Sequence, residues 1–229
     1  MGEFIGVRDM NEKENGMVRF IIEQHTRLSA IIRYNNTPKI NGESVAEHSY
    51  YVTFAAMLVG DYLTAEHGLP VDRLKLMKMA LLHDVEEIIS GDIIKILKSG
   101  GFKEELEKMN KRSMEYLTGT LDKQLAQHYY DLWAATKSKD SLEAKLLDFV
   151  DLLVVIIYSI RECHLGNKYF LEILEYAAHT VFGFKEVVPE LSNFIDEVCT
   201  YALGYLANDP GITARINSAV RIDTQGKKE

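Results

Sequence analysis

Apolar residues recur along this chain at helical spacing almost from end to end. In MVRFIIEQHTRLSAIIR (17–33), Phe20, Ile21, Leu28, Ile31 and Ile32 trace a stripe that predicts an amphipathic helix. RYNNTPKINGES (33–44) breaks the pattern with crowded Asn, Pro and Gly, the composition of a loop. Ser44, with Glu47 three residues later, reads as a capping box opening a buried helix in VAEHSYYVTFAAMLVGDYLTAEH. Pro70 is placed to open the next helix, which runs through DRLKLMKMALLHDVEEI until SGD stops it at Gly91. Further helices are expected at about 103–118, 122–137, 141–164, 168–181 and 185–206. The four prolines, Pro38, Pro70, Pro189 and Pro210, all fall near a break or a first turn. No alternating run reads as a strand. The pattern therefore predicts an all-α, single-domain helical bundle over 17–207, with flexible polar ends at 1–16 and 208–229.

Composition narrows what such a bundle can do. With 229 residues, 47% apolar and 26% charged, the chain can bury one sizeable core without staples. A formal net charge of −8 offers no broad basic surface for a nucleic-acid polymer, although a local basic pocket can still take a small phosphate. Two cysteines, Cys163 and Cys199, form no C-x-x-C pair and fit a reducing compartment, so a cytoplasmic location is expected. The start lacks the apolar stretch of a signal peptide, and the longest apolar run, 152–157, is too short to span a bilayer, so no membrane partner is expected.

The candidate chemistry is concentrated in MALLHDVEEIISGD (79–92). A helix that begins as core places His83, Asp84, Glu86 and Glu87 within five positions. His48 lies in the first turn of the preceding helix, and an antiparallel pairing of the two would bring the imidazoles together. Asp148 sits in AKLLDFVDLLVVII among apolar neighbours and needs a partner. A single divalent cation would satisfy His48, His83, Asp84 and Asp148 at once. This mixed N/O set suits manganese, iron, cobalt, nickel or zinc, and the absence of a thiolate argues against a structural zinc cage. Adjacent helical residues point about 100° apart, so His83 and Asp84 share an ion only if it lies between them or the helix loosens. Glu87, four residues after His83, would lie on the same face, where it could move a proton beside the metal. Each residue also has a plainer reading. His48 alone is more often a structural histidine, Arg33 could serve a helix end, and Glu86 reads as a solvated partner of a lysine. Asp151 reads as a packing residue or a hydrogen-bonding neighbour of the site. Cys163-His164 is discounted as a nucleophile–base pair because adjacent helical residues do not face each other, and Trp133 reads as core.

The set His48 … His83-Asp84 … Asp148 resembles the H…HD…D signature of the HD-domain phosphohydrolases, all-helical enzymes that hold a metal within a helical bundle. RYNNTPKINGESVAEHS, LLHDVEEIISGD and KLLDFVDLL are similar, in order and spacing, to segments of bacterial 5′-deoxynucleotidases of the YfbR type, over roughly residues 17–180. The resemblance implies one divalent ion (Co, Mn, Ni, Fe, Zn or Mg) on those four residues, catalytic roles for Glu87 and Asp92, and substrate contacts from Arg33 and Tyr34. It also implies a nucleotide substrate and a homodimer. Ser90 and Tyr34 depart from the family's usual threonine and tryptophan. The implied activity is metal-dependent hydrolysis of nucleoside 5′-monophosphates. A triphosphohydrolase, a cyclic-nucleotide phosphodiesterase, an alarmone hydrolase and a silent metal-binding interaction module stand as alternatives.

Overall fold

A computed structural model describes residues 16–93 and 101–206 of the chain; the polar ends expected at 1–16 and 208–229 lie, but for Gly16, outside the described residues. The described residues form helices α1 (Gly16–Leu28), α2 (Val45–His67), α3 (Arg73–Leu82), α4 (Glu87–Ser90), α5 (Lys103–Thr118), α6 (Lys123–Ser138), α7 (Leu142–His164), α8 (Leu171–Val187) and α9 (Ser192–Leu206), with short 3₁₀ turns before α8 and α9. Among them there is no strand, and the all-α expectation holds. No described helix is long and apolar enough to cross a membrane.

Local chemistry explains where several helices begin and end. The capping box at the head of α2 is complete: Ser44 Oγ accepts from Glu47 N, and the Glu47 carboxylate accepts from Ser44 N at 2.8 Å. Gly68, at φ 67°, closes α2 in the left-handed conformation that only glycine adopts without strain. Asp72, rather than Pro70, caps α3, its side chain accepting from Lys75 N. Ser141 caps α7 in the same way.

Three expected boundaries move. The first helix stops at Leu28 instead of Arg33, because the chain is drawn into a bridge between Ile32 and Ser44. Arg33 N donates to Glu43 O at 2.9 Å and Val45 N to Ile31 O at 2.9 Å, pinching the 33–44 loop at its neck. The break expected between 181 and 185 falls instead at Val188, which Pro189 forces out of the helical region to φ −138°. The helix expected to run to Gly91 ends at Leu82. Residues 83–86 form turns stitched by i→i+3 bonds from Val85 N to Leu82 O and Glu87 N to Asp84 O, before the short α4.

Two apolar clusters flank the site. α2, α3, α7, α8 and α9 enclose the larger, in which Val52, Leu63, Leu76, Met79, Leu146 and Phe149 are almost wholly removed from water. Burying each such side chain contributes about 1.5–3 kcal/mol, so this cluster fixes the mutual position of α2, α3 and α7. The smaller cluster joins Phe20 and Leu28 of α1 to Val45, Leu82, Val85, Ile88, Met114, Leu117 and Trp133. The turn carrying His83 and Asp84 is thus gripped on both sides.

Candidate metal centre

His48 lies in the first turn of α2, wholly buried. The end of α3 delivers His83, 6% exposed, so that the two Nε2 atoms face each other at 3.3 Å. His83 Nδ1 donates to the Ala80 carbonyl at 2.7 Å, which holds its proton on Nδ1 and aims the Nε2 lone pair inward. Asp84 Oδ2 lies 3.2 Å from His83 Nε2 and 3.9 Å from His48 Nε2. The loosened turn after Leu82 thus brings both neighbours to one point, an outcome that a continuous helix would make difficult.

The fourth expected residue is not there. Asp148 is partly exposed and paired with Lys139 Nζ at 2.9 Å. Asp151, one helical turn further along α7, comes to the imidazoles instead, with Oδ1 3.0 Å from His48 Nε2. His48, His83 and Asp151 form the group whose ligand atoms all lie within 4.8 Å of one another. This corrects the placement read from sequence, because α7 turns Asp151 and not Asp148 toward α2 and α3. Asp151 Oδ1 is buried, 3.0 Å from His48 Nε2, and has no well-aligned hydrogen-bond donor. The Asp151 side chain as a whole is 39% exposed, so the cluster is buried at the imidazoles and open to solvent beside Asp151. An orphaned carboxylate oxygen facing two imidazole nitrogens, with Asp84 beside them, is a donor set that fits a divalent cation with positions left for water.

Electrostatics agree with a site built around positive charge. Burial, helped by the charge of Arg33, lowers the His48 pKa to about 4, so this imidazole is neutral and able to donate a lone pair. Burial also opposes charge on His83, but Asp84 and Asp151 outweigh it and raise that ring to about 9. The Asp151 carboxyl is held below its ordinary range: burial raises it, and the two imidazoles more than reverse the effect. In the metal-free protein a proton on His83 therefore competes for the place of a cation.

The loop at 33–44 stands over this cluster. Arg33 Nη1 donates to His48 Nδ1 at 2.7 Å and to Glu43 Oε2 at 2.8 Å. Burial opposes the guanidinium charge, but Tyr34, Asp151, Glu43 and Asp84 hold its pKa above the ordinary arginine value. Tyr34 takes a left-handed backbone (φ 56°), a strained conformation for a bulky residue. Asp92 Oδ2 accepts from Tyr34 N at 2.6 Å, and Asn35 Nδ2 donates to Asp92 O at 2.8 Å, tying the loop to the segment after Gly91. The Tyr34 ring stacks on Tyr158 at 5.5 Å and meets Phe170 edge-on at 5.1 Å.

Further residues hold this arrangement, among them Glu162, Tyr158 and Lys137, which nothing in the sequence singles out. Glu162, fully buried on α7, accepts from Ile40 N and Asn41 N at 2.8 Å and from Asn167 Nδ2 at 2.6 Å, anchoring the far side of the loop. Tyr158 Oη donates to Asn41 O. Glu86 is buried, not solvated: it accepts from Trp133 Nε1 at 2.8 Å and from Lys137 Nζ at 2.9 Å, while Lys137 also donates to His83 O. Glu87 is buried at the start of α4, beyond the turn that follows α3, so the helical face it was expected to share with His83 is not formed.

The family model for YfbR-like 5′-deoxynucleotidases matches residues 21–202, most of the chain and all of the site. The chain belongs to the YfbR-like 5′-deoxynucleotidase family. Among family relatives, 5′-deoxynucleotidase HDDC2 of Danio rerio is 35% identical over 115 residues, half of this chain and 53% of that protein. Thus the chain spans about half the length of the first curated relatives it matches. The Yersinia pseudotuberculosis 5′-deoxynucleotidase YPTB2590 is 24% identical over 76% of this chain and 93% of its own. Among solved structures, an HD-domain phosphohydrolase from Listeria innocua shares the fold with a TM-score of 0.78 at 25% identity, covering 88% of this chain and 98% of that one.

Proposed function

We propose that this family member is a metal-dependent phosphohydrolase that releases phosphate from nucleoside 5′-monophosphates. The observation that carries the reading is the convergence of His48, His83 and Asp151, with Asp84 beside them and the partly buried Arg33 held against the outer edge of the His48 ring. His48, His83, Asp84 and Asp151 would hold the ion; Asp148, the ligand expected from the resemblance, is 2.9 Å from Lys139 and is left out. The chemistry such an ion would supply is a lowered pKa for a bound water and withdrawal of charge from a phosphoryl oxygen. The remaining tasks fall to the chain's own residues. Arg33 donates its planar fork to the phosphate, a geometry that lysine does not reproduce. Glu87 takes the proton of the attacking water, as the family resemblance implies. Asp92 keeps Tyr34 and Arg33 in register through its bond to Tyr34 N, and Tyr34 borders the sugar.

A cytoplasmic setting is part of the same proposal, in keeping with two buried free cysteines, Cys163 and Cys199. So is a homodimer. The exposed Met17, Ile21, Tyr50 and Phe54 supply apolar surface of the kind that association covers.

A phosphate-release panel over nucleoside mono-, di-, tri- and cyclic phosphates, run with several divalent metals and with chelator, tests the reading. Release confined to 5′-monophosphates and abolished by chelation is expected. Release from triphosphates alone, or none with any metal, would overturn it.

A further inference from the structure

Glu43 is a buried carboxylate that no part of the proposed reaction uses. It faces Arg33 directly across the neck of the loop, joined to it by backbone (Arg33 N to Glu43 O, 2.9 Å) and by side chain (Nη1 to Oε2, 2.8 Å). The same Oε2 lies 3.7 Å from His48 Nδ1. Three groups thus meet behind the His48 ring, on the side away from the candidate metal centre: an imidazole nitrogen, a guanidinium and a carboxylate.

Hydrogen-bond bookkeeping shows that the three cannot keep this arrangement once a cation is held. As the residues stand, Arg33 donates to Nδ1, so Nδ1 is an acceptor and the neutral ring carries its single proton on Nε2. Nε2 can give its lone pair to a cation only when that proton is on Nδ1 instead. Nδ1–H then needs an acceptor. Arg33 has none to offer, whereas Glu43 Oε2 is the carboxylate oxygen already at its side. The arginine fork that pointed at Nδ1 is left with a donor to spend, close to where the reaction has been placed.

We infer that Glu43 is a positioning residue shared by the two halves of the site: it receives the His48 Nδ1–H hydrogen bond when a cation is held on Nε2, and so turns Arg33 from the imidazole toward a phosphate. Cation binding and anion binding are thereby coupled through one carboxylate. The inference rests on the metal reading of the cluster but not on the identity of the nucleotide, so its failure and a failed nucleotide panel are separate results.

The test is calorimetric titration of cobalt(II) into the chelator-stripped full chain, then of inorganic phosphate into the cobalt-loaded protein, for wild type, Glu43→Gln, Glu43→Asp and Arg33→Ala. Partners that orient metal-bound histidines are worth about 10–100-fold in affinity, so Glu43→Gln should bind cobalt weaker by that factor. Glu43→Asp keeps the charge but withdraws the oxygen, and should also bind more weakly. Arg33→Ala removes the competing donor and should bind cobalt at least as tightly as wild type while losing phosphate. In the zinc-loaded wild type, proton–nitrogen correlation NMR should show a protected His48 Nδ1–H signal that Glu43→Gln loses. Cobalt affinity within twofold of wild type in Glu43→Gln would overturn the inference. So would weakened cobalt binding in Arg33→Ala, which stands even if the Glu43 variants fail to fold.

Discussion

Asp148 and Asp151 sit one turn apart on α7, and replacing each by asparagine separates a ligand from a bystander. In Asp148→Asn the loss is an ion pair with Lys139, whose side chain is 69% exposed while that of Asp148 is 30% exposed. Such pairs are worth about 0–1 kcal/mol, so divalent-metal affinity should stay within roughly fivefold and thermal stability should barely move. In Asp151→Asn the chain loses the carboxylate whose buried Oδ1 stands 3.0 Å from His48 Nε2. Removing a partner that only orients a ligand costs about 10–100-fold in metal affinity, so removing a ligand should cost at least ~100-fold, about 2.7 kcal/mol. Calorimetric titration of manganese or cobalt into both stripped variants measures the difference, and phosphate release from a deoxynucleoside monophosphate should fall in parallel. Asp148→Asn losing the metal while Asp151→Asn kept it would refute the assignment.

Arg33→Lys keeps the charge but not the fork, and should raise KM for 5′-monophosphates and lower kcat/KM by about tenfold or more, a loss of roughly 1.5–3 kcal/mol from a charge-assisted contact; unchanged kinetics would remove Arg33 from the phosphate site. Trp133→Phe deletes the N–H that Glu86 accepts at 2.8 Å and should destabilise the fold by about 1–3 kcal/mol, read as a lower midpoint in urea. For the metal-free protein, stability should depend on pH from both sides. His83, raised to about 9, contributes stability that is full below its unfolded value of about 6.5 and is lost as pH rises through 9. His48, lowered to about 4, contributes stability that is present above about 6.5 and lost as pH falls through 4. Melting temperatures of chelated protein across pH 4–9 should therefore peak near the middle of that window, and a steady rise toward pH 9 would contradict the two shifts.

Much of this arrangement could be read from single positions. The capping box at Ser44 and Glu47, the loop composition at 33–44 and the His83-Asp84 pair each announce themselves by local chemistry, and the helices they predict are present. What failed depended on how elements face one another. Asp148 and Asp151 share an apolar helix three residues apart, and spacing alone does not rank them; apolar flanks pointed to Asp148, whereas the register of α7 against α2 favours Asp151. One signal was available. Asp151, Tyr158 and Glu162 fall at intervals of seven and four, a polar stripe on one face of an otherwise apolar helix, and all three face the loop and imidazoles. Glu86 has the lysine partner its sequence context suggests but is buried rather than solvated, because Trp133 and Lys137 lie on a helix some 50 positions away, where no local rule connects them. The turn at 83–86 has no breaker inside it; packing against Trp133 and Lys137, not sequence, accounts for where α3 stops.

The central claim is that His48, His83 and Asp151 bind one cation. Anomalous diffraction at the cobalt edge from a crystal grown with cobalt(II) addresses it directly. One peak within about 2.0–2.3 Å of both Nε2 atoms and an Asp151 carboxylate oxygen is predicted. A peak at Asp148, or none between the two imidazoles, would contradict it.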